Sequence, residues 1–502
     1  MKNNKLTKNI QSLIVSNKQM SIDYKMVGYD IWASIAHVIM LYKTGIIGLE
    51  KAQSALLALE DILSEYENGE FEINPEKGAQ LSLEAKIIEK AGENAGLSVH
   101  TARSRNDQVM VTEILYIKEQ VLALINKAFI VVTTLVEQAS DNIETVMPGY
   151  THTQPAKPTT FAQWCLAHTS SLMRGIDSLI YEYNKFNKNP LGSAEGYGTS
   201  WPIDRNMTTK LLGFAEVWEV PQDAISSRGH FQLGIFGALN TLGLAINKIA
   251  TDLMLYTTFE FGMIALGEDV AKRMHPITGS SIMAQKKNPD AVELIRSLSP
   301  QLVGIYQSAY GVLTGLPSGY NRDSREIKEY IDLGLLKTND CLDSLNEIVK
   351  TMIPNKAKML KMVNENYSLT TDVADHLAQK TGIPYRLMYK IVGTVVDQAI
   401  NNDKLLDQVT ADEVKNVAKN LGAEINITDE DLQVVLDPVY AINLRKHVGG
   451  SNKDITQALI NDFKAKVEKQ TQTVKEMQNI IIKAKSECYL LAKQITNEKI
   501  SE

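Results

Sequence analysis

Ile114-Leu-Tyr-Ile-Lys-Glu-Gln-Val-Leu-Ala-Leu-Ile-Asn-Lys-Ala-Phe-Ile-Val-Val-Thr-Thr-Leu135 decides the fold class. Ile114, Ile117, Val121, Leu124, Ala128, Val131 and Leu135 recur at alternating three- and four-residue steps. That spacing lays an apolar stripe along one helix and suits packing in a long bundle. The same period returns on both sides. Ile31, Ile35, Val38, Ile39 and Tyr42, then Ala52, Leu56, Leu59 and Leu63, predict two helices joined near Thr44-Gly45. A further helix is expected over 81–91, ending at Gly92, and another over 160–185. Residues 231–266 are strongly apolar with few charges, which predicts burial deep in a core or an oligomer. Helices over 291–313 and 324–352 complete the expected bundle, while strand-like alternation is scarce.

Proline and glycine punctuate this pattern. Pro148, Pro155 and Pro158 predict an irregular link, and 190–202, rich in Gly and Ser, a loop. The expected architecture is all-α in three domains: 1–107, a central long-helix bundle over 108–353, and 354–502 with an extra C-terminal helix. In that last helix Ile460, Phe463, Val467, Val474, Met477, Ile481, Ala484, Cys488 and Leu491 form a packing stripe, and Gln470 stands where an apolar residue is expected. Residues 1–20 are polar and mixed and give no assignment.

Composition excludes several classes. The 502 residues carry a net charge of −7, whereas a nucleic-acid surface normally shows a basic excess. Cys165, Cys341 and Cys488 are far apart and odd in number, which argues for a reducing compartment and against disulfides or a zinc site. The eight histidines show no ligand spacing, so no metal is expected. The basic N-terminus is followed by no uninterrupted apolar run, and no stretch is expected to span a membrane. A cytoplasmic protein is the expectation.

Three polar stretches fall at the ends of the expected helices. His100-Thr-Ala-Arg-Ser-Arg-Asn-Asp-Gln108 precedes the long helix, where free backbone N–H groups favour anions. Its Ser104 and Asn106 can donate to carboxylate oxygens, and Arg103 or Arg105 can do so bidentately. Gly149-Tyr-Thr-His-Thr-Gln-Pro-Ala-Lys-Pro158 holds His152, a side chain that titrates near neutrality. Thr278-Gly-Ser-Ser-Ile-Met-Ala-Gln-Lys-Lys-Asn-Pro-Asp290 packs three hydroxyls, two ammoniums and two carboxamides into thirteen residues. Taken singly, each has a plain structural explanation as a salt bridge, a packing residue or a solvated turn. Together they point to a site for a carboxylate-bearing ligand.

These stretches also carry a resemblance. Ser104-Arg-Asn-Asp-Gln108, Gly149-Tyr-Thr-His-x-Gln154 and Gly279-Ser-Ser-Ile-Met-x-Gln-Lys-Lys-Asn-Pro-Asp290 are similar to the three signature regions of the argininosuccinate lyase/fumarase superfamily. The first is particular to the argininosuccinate lyase branch. Tyr29-Asp-Ile-Trp-Ala-Ser-Ile-Ala-His37, Trp201-Pro-Ile-Asp-Arg205, Gly315-Leu-Pro-Ser-Gly-Tyr-Asn321, Thr371-Asp-Val-Ala-Asp375 and Gly449-Gly450 extend the likeness over most of the chain. The resemblance implies a cofactor-free and metal-free homotetramer, with each site assembled from three subunits. It also implies a reversible β-elimination that releases fumarate from an N-substituted aspartate. By that similarity Ser280 takes the proton, Lys286 and Asn288 hold the charged carboxylate, and His152, oriented by Glu293, is the candidate acid. Ser21, Arg103, Ser104, Asn106, Thr151, Gln154, Tyr320, Arg325 and Lys328 are implied in substrate binding.

The pattern also departs from the family. Lys77-Gly-Ala-Gln80 stands where two acids and a histidine are usual, and Arg325-Glu-Ile-Lys-Glu329 replaces Gln-Glu-Asp-Lys-Glu. The usual Leu-Trp-Gly-Gly-Arg-Phe opening is absent, and Ala284 replaces a proline. A more positive distal end suits a leaving amine other than arginine, unless Arg325 pairs with Asp323 or Glu326. A sister lyase acting on another N-substituted aspartate, or a non-catalytic structural protein on this scaffold, are the alternative expectations.

Overall fold

The computed structural model describes residues 7–499, and the first six residues of the basic opening lie outside them. The frame is a set of long helices: α1 (Val27–Lys43), α2 (Leu49–Glu67), α3 (Arg105–Asp141), α4 (Phe161–Lys185), α5 (His230–Tyr256), α6 (Asp290–Leu298), α7 (Gln301–Leu313), α8 (Ile327–Thr351) and α9 (Lys453–Thr496). The stripe that begins at Ile114 makes α3 the axis of the molecule. It packs on α4, α8 and α9, while α5 packs on α4 and α8. The architecture is all-α, with strand confined to three small two-stranded pairings among the described residues.

The helix starts follow local chemistry. Ser104 caps α3: its Oγ accepts from Asn106 N–H, and its own N–H donates to Asp107 Oδ1 at 3.0 Å. Thr160 caps α4 in the same way. The helix expected over 291–313 is broken in two. Pro300 has no N–H to give to the preceding turn, so α6 stops at Leu298 and α7 starts afresh at Gln301.

The link after α3, expected to be irregular, is ordered instead. It is an antiparallel hairpin, β1 (Val146–Thr151) and β2 (Gln154–Thr160), whose register shifts between Pro148 and Tyr150. Pro148 faces Pro158 across the ladder. Two prolines opposite each other withhold their missing donors at one rung, and a bulge absorbs the irregularity. Gly149 is required there, because a Cβ would lie 2.5 Å from the Lys157 carbonyl oxygen.

The buried apolar side chains form two clusters. One joins the bundle to α1, α2 and the stripe of α9, and the other lies between Val363 and Ile442 with Val146 as a contributor. The α9 stripe buries Ile460, Val467, Val474, Ile481, Cys488 and Ile495, and Gln470 donates to Asp177 of α4 at 2.6 Å. At its far end Gln53 of α2 donates to the carbonyls of Ile495 and Thr496, so α9 straps the bundle to α2. Stretches of α3 and α5 match a membrane span in length and composition, contrary to expectation, and 56% of each stretch is already buried inside this one chain.

Candidate active site

The segment before α3 is held from beneath by a buried polar network. Asp30, Ser34 and His37 project from α1. Gln108 donates to Asp30 at 2.8 Å, Arg103 donates to Ser34 Oγ at 3.0 Å, and His37 Nε2 meets the Thr101 carbonyl at 2.8 Å. Burial holds the His37 imidazole down near pKa 3, so it stays neutral. Asp107 ties in the next loop: its Oδ2 accepts from Gly192 N–H and Ala194 N–H, both at 2.9 Å. Burial pushes this carboxyl up to about 6, against the pull of Arg103 and of the backbone donors. Arg205 threads the same loop through the carbonyls of Asn189, Leu191 and Trp218.

Above this network opens a cavity of about 280 Å³. Asn106, Tyr320, Arg325 and Lys328, all expected in substrate binding, line it together with Gln19, Asp23, Lys77, Arg105 and Arg228. Arg103 is corrected: it is buried beneath the segment, in the field of Asp30 and Asp107, and its neighbour Arg105 faces the cavity. Ser104 acts as the cap of α3, and Ser21 sits exposed on the Asn17–Tyr24 helix outside the lining. Arg228 carries a buried bidentate pair with Glu113, at 2.6 and 3.3 Å, and lies 5.7 Å over the Tyr320 ring. Lys328 pairs with Asp23, and Arg325 pairs with Glu326 and with the carbonyls of Leu13 and Ile14. Sequence reading missed Gln19, Asp23 and Arg228; the one available signal was a polar run ending at Arg228, just before the apolar α5.

The hairpin tip is a two-residue turn in which His152 and Thr153 both have positive φ, 53° and 58°. Positive φ at both central positions is the mark of a type I′ turn, which prefers Asn-Gly. A β-branched Thr there is strained, and strain of this kind clusters at functional sites. The hairpin base is clamped where Lys157 pairs with Asp372 and Asp375, and where Arg445 donates to the Pro158 carbonyl at 2.5 Å. Tyr150 packs its ring, tilted, against those of Tyr256 and Phe261. Thr151, His152 and Gln154 stand exposed at the tip.

The loop before α6 closes on itself. Gly279 bridges Lys287, and Asn288 N–H donates to the Thr278 carbonyl at 2.9 Å. A Cβ on Gly279 would lie 2.5 Å from His275 N, so only glycine fits. Lys287 anchors the loop on the Leu266 carbonyl at 2.7 Å. Ser280 Oγ accepts the backbone N–H of Met283 at 3.0 Å and of Ile282 at 3.4 Å. The exposed ammonium of Lys286 has no hydrogen-bond or ion-pair partner among the described residues. Glu293 lies exposed in the first turn of α6 and makes no bond to His152 within the chain. One chain therefore gathers Asn106, Tyr320, Arg325 and Lys328, and leaves the 151–154 tip and the 280–288 loop outside that cavity.

The family profile described as lyase matches residues 10–304, and that described as argininosuccinate lyase C-terminal matches 367–443. The argininosuccinate lyase of Bacillus cereus is 36% identical over 433 residues, 86% of this chain and 90% of that protein. That of Bacillus mycoides is 37% identical over 442 residues, 88% and 92% of the two chains. Among solved structures, EDDS lyase in complex with formate superposes with a TM-score of 0.85 at 25% identity, covering 97% of this chain and 95% of its own. A class II fumarase from Schistosoma mansoni, at 17% identity and covering 84% of this chain and 90% of its own, shares the fold with a TM-score of 0.65. With its signature stretches lying on capped, clamped segments at the bundle's ends, this chain belongs to the argininosuccinate lyase family of carbon–nitrogen lyases within the fumarase superfamily.

Proposed function

We propose that the chain cleaves argininosuccinate to arginine and fumarate by β-elimination. Ser280 Oγ removes the proton from the carbon beside a carboxylate. The electron pair left behind becomes the fumarate double bond as the carbon–nitrogen bond breaks, and the departing nitrogen takes a proton from His152. What carries the reading is Ser280. A free serine hydroxyl is a poor base, and two backbone N–H groups aimed at its Oγ are the donors that would stabilise an alkoxide. Lys286 and Asn288, on the same loop, would hold the charge that builds on the substrate carboxylate. Thr151, Gln154 and Ser104 would bind the succinyl half, and Asn106, Tyr320 and Lys328 the leaving half.

Arg325 gave reason to consider a different leaving amine. Its charge is answered by Glu326 and two carbonyls, which supports the argininosuccinate reading over the sister-lyase alternative.

The site is completed in a homotetramer. Supporting this, Leu244 on α5 is 71% exposed, and Leu294, Val303 and Tyr310 are exposed on α6 and α7, the helices that pack on α5. A monomer would leave that apolar face in water. A cytoplasmic location is supported by three free, buried thiols. Fumarate formation from argininosuccinate tests the reading: Ser280→Ala should abolish it while the tetramer persists. Loss of the tetramer with loss of activity, or full activity in the variant, would overturn the role of Ser280.

A further inference from the structure

The inner wall of the cavity holds a residue that neither the family signatures nor the mechanism uses. Gln19 lines the cavity and is only 4% exposed, and neither its Nε2 nor its Oε1 has a hydrogen-bond partner among the described residues. Its backbone is satisfied, since its N–H donates to Ser16 Oγ at 3.2 Å. A buried amide with both ends unmet is destabilising, and most buried polar groups are paired. An amide has one end that donates and one that accepts. A carboxylate next to an ammonium is one ligand group that answers both.

The charges around it agree. Three of the lining cations are already engaged, Arg228 by Glu113, Lys328 by Asp23 and Arg325 by Glu326. Lys77, Arg105 and Arg322 line the same cavity and have no carboxylate partner among the described residues. The only carboxylate on the wall among the described residues, Asp23, is the one that Lys328 occupies. At about 280 Å³ the cavity falls below the ~300–1,000 Å³ usual for a whole drug-sized ligand, and so suits half of a substrate.

We propose that Gln19 determines specificity by reading the α-amino-acid end of the leaving amine, Nε2 donating to its carboxylate and Oε1 accepting from its ammonium. Lys77 and Arg322 at the mouth draw the carboxylate in. This rests on the reading that the cavity holds the leaving half of the substrate.

The test runs the reaction backwards, adding an amine N–H across the double bond of fumarate and following fumarate loss. The amines are arginine, lysine and ornithine, each paired with its decarboxylated counterpart (agmatine, cadaverine and putrescine). The wild-type protein should prefer the amino acid of an accepted pair by about tenfold to a hundredfold in kcat/KM, since a site built to bond a group rejects the analogue lacking it. Gln19→Leu should erase that preference, through KM for the amino acid, and leave the decarboxylated amine unchanged. Gln19→Glu keeps an acceptor but sets a carboxylate against the substrate's own, and should disfavour the amino acid further. An equal loss on both members of a pair, or no loss on either, overturns the proposal; because the ratio is taken within one variant, a folding defect does not mimic the expected result. If lysine or ornithine reacts and arginine does not, the argininosuccinate reading fails, while the Gln19 ratio still decides this one. No fumarate loss with any amine overturns both.

Discussion

The strained turn at residues 152–153 separates stability from activity in one experiment. His152 and Thr153 occupy left-handed backbone at φ 53° and 58°, and the Thr153 hydroxyl donates to the His152 carbonyl at 2.6 Å. Left-handed backbone costs an L-residue about 1–2 kcal/mol, less for His than for a β-branched Thr. Glycine at 153 removes that cost but has about 0.5–1 kcal/mol more chain entropy to lose on folding. The exposed hydroxyl bond it forfeits is worth about 0.5 kcal/mol. Asparagine at 152 fits the turn better than histidine by a few tenths. The double variant His152→Asn, Thr153→Gly should therefore be as stable as the wild type or up to ~1 kcal/mol more so. Activity should move the other way. Losing a general acid lowers the rate by about 10²–10⁴, so His152→Asn should be nearly inactive and Thr153→Gly nearly normal. Thermal unfolding and fumarate absorbance on the three variants give the answer. A His152→Asn enzyme within tenfold of wild type would remove His152 from the mechanism, and a double variant unfolding several degrees early would refute the strain.

Three other outcomes follow from buried groups and the uncovered face. Lys118 donates to Asn187 at 2.6 Å and to the Gly213 carbonyl at 2.9 Å, and burial pulls its ammonium down to about 7. Above that pH the unfolded chain holds a proton that the folded chain has shed, so stability rises with pH. The gain relative to Lys118→Met should be about 2.3 kcal/mol between pH 7 and 9 in denaturant titrations, because the folded group is already half titrated at pH 7, and parallel slopes would count against it. Glu113→Gln leaves Arg228 buried without its counter-charge and should cost ~3–5 kcal/mol, seen as a lower Tm. Glu113→Leu with Arg228→Met should cost much less, and equal losses would mean that the pair is not what matters. Leu244→Glu should split the tetramer in sedimentation without unfolding the subunit; an intact tetramer would place the interface elsewhere.

The bundle was legible because its helices announce themselves by period. The α3 stripe from Ile114 to Leu135 and the α9 stripe from Ile460 are buried as the spacing requires. The hairpin was not legible: prolines at 148, 155 and 158 argue against strand, His-Thr is a poor type I′ pair, and the clamps from Asp372 and Arg445 come from residues remote in sequence. Arg103 and Arg105 are two residues apart and alike in sequence. Which one turns inward depends on Asp30 and Ser34, seventy residues earlier in the chain. The break at Pro300 was visible in principle, and it was masked by the apolar pattern continuing on both sides. Gln19 lies in a polar stretch with no period at all, and burial of such a residue follows only from tertiary packing. Two of the supporting motifs turn out to be scaffolding, since the α1 residues Asp30, Ser34 and His37 hold the 100–108 segment, and Arg205 holds the loop beside it.

Mixing two inactive proteins tests most directly whether the tip and the loop work on one substrate across subunits. Ser280→Ala and His152→Asn subunits, each inactive alone, are dissociated and reassembled together, and fumarate release from argininosuccinate is followed. Hybrid tetramers should recover a fraction of wild-type activity, because some sites receive an intact Ser280 from one subunit and an intact His152 from another. Mixed tetramers that form and stay as inactive as their parents would contradict the account.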